Sequence, residues 1–144
     1  MSEKVLKGRC IVGGTAEGRA VVTSEAISFM GTVDPKTGYI IERKHEIEGV
    51  CLKGKVLVFP YSKGSTGGSY MLYDAVNNGV GPVGIVNIEA ESVVTIGAIV
   101  ANLPMVDQVD ISQIKTGDYI YLNATDGTVR IVSGNHKDSE SADE

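Results

Sequence analysis

The sequence predicts an α/β fold built around one strand–helix–strand unit between residues 55 and 88. Three observations predict it. Residues 55–59 (KVLVF) form a continuous apolar run of the kind buried on both faces of a sheet. Residues 68–78 carry Met71, Leu72, Ala75 and Val76, a stripe at helical spacing. Residues 83–88 (VGIVNI) form a second apolar run after Pro82. A strand, a helix and a strand over about thirty residues make a βαβ unit, so the two strands are expected to be parallel with a right-handed crossover.

The other elements follow in chain order. Residues 8–14 (GRCIVGG) and 18–23 (GRAVVT) read as two short strands separated by a glycine-rich turn. Residues 24–38 read as irregular, with turn chemistry at Asp34-Pro35 and Thr37-Gly38. Residues 39–42 (YIIE) read as a strand, and residues 43–54 as a loop with a short extended piece. Asn77, Asn78 and Gly79 suit a helix end, because Asn and Gly accept the left-handed conformation. Residues 91–101 (ESVVTIGAIVA) fit either a strand or a short helix, and residues 104–107 resume an extended path. Two strands are expected around a hairpin turn at Asp126-Gly127. The domain is expected to span residues 1–132, and residues 133–144 read as a disordered acidic tail.

The chain has 144 residues, enough for one domain with a substantial core. Apolar residues make up 42 % and charged residues 22 %, the balance of an ordinary globular protein. With no Trp and few aromatics, Val, Ile and Leu must fill the core. Asp138, Glu140, Asp143 and Glu144 account for most of the net charge of −5. The rest of the chain is close to neutral, which excludes a general nucleic-acid surface. The first residues lack the apolar segment of a secretory leader, and no apolar run is long enough to cross a bilayer. The expected location is cytoplasmic. Cys10 and Cys51 lie in strand-like contexts (RCIV, GVCL) and are expected to be buried, reduced thiols. Their spacing matches no zinc or cluster signature, so no metal site is expected in this chain.

The stretch FPYSKGSTGGSY, from Phe59 to Tyr70, is the strongest candidate site. It follows the first strand of the βαβ unit and leads into its helix, where open α/β sheets bind ligands. Backbone N–H groups and the helix dipole favour an anion there. Lys63, Gly64, Ser65, Thr66 and Gly67 are the candidate residues. The spacing does not match the nucleotide P-loop. The alternative reading is a glycine-rich turn with Ser65 or Thr66 as the helix N-cap. His45, between Arg43-Lys44 and Glu46, reads either as part of a solvated charged loop or as a residue facing the same ligand.

In this order, SFMGTVDPKTGYII, His45 and Gly49, GKVLVFPYSKGSTGGSYML and GPVGIVNIEAESVVTIGAIVANLPMVD resemble the small subunit of the aconitase X group. The resemblance covers about residues 8–131. It implies a swivelling β/β/α domain akin to the fourth domain of aconitase, partnered by a large subunit that holds an iron–sulfur cluster, of the 4Fe–4S type. It implies a hydro-lyase. In the archaeal type, (R)-5-phosphomevalonate is dehydrated to trans-anhydromevalonate 5-phosphate, a step of isoprenoid synthesis. It also implies that a serine at the head of such a loop is the base, a role that maps onto Ser65. Lys63, Gly64, Thr66, Gly67 and His45 would then bind substrate. Two positions depart from the pattern. Thr66-Gly67-Gly68 stands where aconitase has an arginine shortly after its serine, and Thr32 stands where a common form of the family has glycine.

Three other readings remain at this level. One is a small subunit of a cis-3-hydroxyproline dehydratase. Another is a non-catalytic anion-binding or interaction domain. The third is a phosphocarrier domain, which needs a histidine in a loop before a helix, and neither His45 nor His136 is so placed.

Overall fold

The computed structural model describes residues 3–63 and 67–133. Eight strands form one mixed sheet: β1 (Glu3–Lys7), β2 (Arg9–Val12), β3 (Thr15–Val22), β4 (Val56–Phe59), β5 (Gly84–Asn87), β6 (Met105–Asp107), β7 (Tyr119–Asn123) and β8 (Thr128–Val132). Two helices, α1 (Gly67–Asn77) and α2 (Ser92–Ala101), connect the parallel strands. The strand order is β1-β8-β7-β3-β4-β5-β6-β2.

β3 joins two halves. Its first residues, Thr15 to Arg19, pair antiparallel with β7, and Ala20 to Val22 pair parallel with β4. β4, β5 and β6 continue the parallel half, and β2 closes its edge antiparallel to β6. The expected βαβ unit is present, with Val56 opposite Gly84 and Phe59 opposite Asn87 in a parallel register.

Alternation along β4 builds two cores. Leu57 and Phe59 point to the helices and pack with Ile85, Leu72 and Val94. Val56 and Val58 point to the opposite face and pack with Val86, Ile120 and Leu122. All four β4 residues are fully buried, which is why the stretch reads as an unbroken apolar run.

The helix over residues 68–78 is realised as α1, which buries Gly68, Leu72 and Ala75. Gly79, at φ +78°, ends it in the left-handed conformation. Residues 91–101 resolve as helix: Glu91 caps α2 by accepting from the Val93 amide, and Asn102 turns the chain out at φ 57°. Gly97 lets the two helices approach, because a Cβ there would sit 3.0 Å from Leu72 Cδ2 and 3.1 Å from the Ser69 carbonyl oxygen.

Four expectations change. An additional strand, β1, pairs antiparallel with β8 and half-buries only Leu6, so its sequence carries little signal. Residues 39–42 make isolated bridges, Val33 to Ile40 and Tyr39 to Cys51, in place of a strand. Cys10 is exposed and Cys51 half-buried, because Cys10 lies on the outer face of edge strand β2 and Cys51 in a surface loop. His45 is buried although charged residues flank it on both sides. The expected tail beyond Ser133 lies outside the described residues. Among the described residues no helix is long and apolar enough to cross a membrane.

Candidate active site

The loop that leaves β4 is bonded on two sides. On one side, Pro60 O accepts from the Ile88 and Glu89 amides at 3.1 Å each, and Ser62 Oγ donates to Glu91 Oε1 at 3.0 Å. The same carboxylate oxygen accepts from Val93 N at the start of α2, so one side chain ties the loop to a helix N-terminus. On the other side, the loop after β3 runs alongside. Ile27 N donates to Tyr61 O at 3.3 Å, and Lys63 N donates to Ile27 O at 2.9 Å. These loops thus gather at the carboxyl ends of β3, β4 and β5, where this class of sheet places its ligands; we term this loop cluster the cleft.

Asn87, the last residue of β5, lies beneath. It is fully buried, and its Nδ2 donates to Phe59 O at 2.8 Å. Its Oδ1 has no hydrogen-bond partner among the described residues. At the edge of the parallel sheet, Asp107 accepts from Ala90 N and takes both bonds of a bidentate Arg9 pair at 2.8 and 2.9 Å. Burial pushes the Asp107 carboxyl up, but the Arg9 bonds, the Ala90 amide and the Arg9 charge together hold it below its ordinary value.

Of the residues singled out in the sequence, Lys63 lies on the loop after β4 with its side chain about half exposed. Its Nζ lies 3.9 Å from Glu42 Oε2. Gly67 is the first residue of α1, a helix with no acidic side chain in its first turn to neutralise its positive end. Gly64, Ser65 and Thr66 lie outside the described residues. His45 is near the cleft wall but turned inward, with no exposed side-chain surface. Its Nδ1 accepts from Ile47 N at 3.3 Å, which leaves the proton on Nε2 to donate to Ala26 O at 3.2 Å. In this arrangement His45 braces the lip at Ala26, the residue before Ile27, whose carbonyl holds the Lys63 amide.

Sequence reasoning missed three residues. Glu42 lies next to Lys63 and accepts from the buried Thr32 hydroxyl. Glu46 accepts from the Thr23 hydroxyl and the Ser24 amide, and these bonds hold its carboxyl below the ordinary value. Glu91 caps α2 and anchors Ser62. The one local signal was for Glu91, an acidic residue followed by Ser92 ahead of an apolar run.

Known proteins share both the sequence and the fold. The chain is 46% identical over 130 residues to the phosphomevalonate dehydratase small subunit of Methanosarcina acetivorans, an alignment covering 88% of this chain and 90% of that protein. It is 45% identical over 129 residues to the protein of the same name from Thermococcus gammatolerans, covering 90% and 98%. The crystal structure of Thermococcus kodakaraensis aconitase X in its holo-form superposes with a TM-score of 0.88 at 46% identity, covering 90% of this chain and 99% of that one. The aconitase X swivel domain family matches residues 5–131, which take in both helices, the parallel strands and every loop around the cleft. The chain therefore belongs to the aconitase X swivel domain family.

Proposed function

We propose that this chain is the small subunit of a phosphomevalonate dehydratase and completes an active site shared with a larger subunit. The observation that carries this reading is near-full-length similarity, at 45–46% identity, to small subunits of that name. The cleft supports it. A half-exposed lysine with a fixed backbone stands four residues before a helix whose first turn has no acid. That combination suits a substrate bearing carboxylate and phosphate groups.

The reaction breaks a C–H bond beside the carboxylate and the C–O bond on the neighbouring carbon; a C=C bond forms, and the hydroxyl departs and takes up one proton, so that the proton given to the base and the hydroxide together amount to one water. In this reading Ser65 takes the C–H proton. A serine oxygen does so only as an alkoxide, which backbone N–H groups and a nearby cation stabilise. Lys63 supplies the cation. In the same reading Gly64, Thr66 and Gly67 bind substrate, the glycines because they let a ligand approach the backbone closely.

The iron–sulfur cluster that the family resemblance implies does not fit the donors of this chain. Cys10 lies on β2 and Cys51 in a separate loop, and a cluster needs more thiolates than two. Among the described residues no group of three His, Cys, Asp or Glu is placed to hold a metal. The cluster is assigned to the larger subunit. The chain also exposes Tyr70, Ile96, Ile99 and Val100 on its helix layer, an apolar surface of the kind that partners cover.

The test is an anaerobic assay of the two-subunit complex with (R)-5-phosphomevalonate and, separately, cis-3-hydroxyproline. The expected result is dehydration of the first only, with iron in the larger chain. Turnover of hydroxyproline alone, or activity of this chain without a partner, overturns the reading.

A further inference from the structure

We infer that Glu42, held by the buried hydroxyl of Thr32, is a positioning residue that aims the Lys63 ammonium into the cleft. The inference rests on the reading of Lys63 as an anion-binding residue and adds the device that orients it.

Thr32 is fully buried. Its backbone is pinned on both sides, with Thr32 N donating to Ser28 O at 2.7 Å and Ile41 N donating to Thr32 O at 2.8 Å. Its hydroxyl oxygen accepts from Ser28 N at 3.2 Å, so the single hydroxyl proton is directed at Glu42 Oε1. One carboxylate oxygen is thereby fixed from inside the protein. The other, Oε2, faces the Lys63 ammonium at 3.9 Å. That separation is too long for a hydrogen bond and short enough for charge attraction. Glu42 therefore steers the lysine without taking up any of its three donors. The need for steering is clear from the backbone. Lys63 N is fixed to Ile27 O, but the flexible four-carbon side chain above it is only about half covered.

The experiment measures KM and kcat of the two-subunit complex with (R)-5-phosphomevalonate, checking assembly of each variant by co-purification. Lys63→Met raises KM at least about tenfold, as loss of ground-state binding should. Glu42→Gln and Thr32→Val each raise KM about three- to tenfold with kcat little changed, and Thr32→Ser recovers most of what Thr32→Val loses. In the Lys63→Met background, Glu42→Gln adds nothing further, because its effect runs through the lysine. If Lys63→Met raises KM but Glu42→Gln does not, or if their effects add, the positioning role is wrong and the anion-binding reading stands. If Lys63→Met leaves KM unchanged, the anion-binding reading of Lys63 fails and the inference fails with it.

Discussion

The amide of Lys63 donates to the carbonyl of Ile27 at 2.9 Å, so the loop after β4 is locked to the loop after β3 at the residue that carries the cleft's cation. The preceding carbonyl, that of Ala26, accepts from His45 Nε2. A buried imidazole, two consecutive lip residues and the lysine backbone thus form one bonded chain.

His45→Ala should break that chain. It leaves Ala26 O and Ile47 N–H without their side-chain partner in a buried setting, at a cost of about 1–3 kcal/mol. The melting temperature should fall by several degrees, and KM should rise more than kcat falls. A thermal scan and steady-state kinetics of the complex measure both. An unchanged melting temperature means that the buried contacts carry no stability.

Asp107 gives a pH prediction. Its folded-state value lies below the ordinary carboxylate value, so the Arg9 pair adds stability above about pH 4 and loses it as pH falls through the lowered folded value. Asp107→Asn should destabilise by about 2 kcal/mol at neutral pH, because a fully buried carboxylate loses charge-assisted bonds to Arg9 and Ala90. Urea midpoints at pH 7 and pH 3 check it. The gap between wild type and variant should shrink at pH 3, and an equal gap at both values contradicts the assignment.

Gly97→Ala tests the close contact between α1 and α2. The new methyl meets Leu72 Cδ2 at 3.0 Å and the Ser69 carbonyl at 3.1 Å, and the second of these is backbone. Overpacking of this kind costs about 1–3 kcal/mol. Chemical denaturation should show that loss. A neutral result means that the helices separate at no cost.

The parts legible in the sequence were those whose burial is symmetric or whose turns are obligatory. β4 showed itself because Val56, Leu57, Val58 and Phe59 all face a core. The β7–β8 hairpin showed itself through Asp126-Gly127. α2 stayed ambiguous because its β-branched residues suit a strand equally well; what makes it helical is the Glu91 cap and the packing of Gly97 on α1, and the second of these is a tertiary fact. β1 buries too little to leave a pattern. At the candidate site, Lys63 drew attention through its loop alone. Glu42 could not, because its meaning comes from Thr32, ten residues earlier, and Lys63, far along the chain. The inward turn of His45 was hidden by its charged neighbours, which describe the outside of the loop.

The central claim is that this chain supplies the base, and Ser65→Ala tests it most directly, with Thr66→Ala and Ser69→Ala as controls. Ser69 donates from Oγ to Val93 O at 2.7 Å, so its loss should lower melting temperature and spare turnover. Ser65→Ala should do the reverse. The complex should assemble and melt nearly normally, while anaerobic turnover of (R)-5-phosphomevalonate falls by at least about 10²–10⁴-fold, the scale of general base catalysis. Near-normal turnover by an intact Ser65→Ala complex, with stability reduced by about 1 kcal/mol, would show that Ser65 is only a helix cap and that the base lies elsewhere.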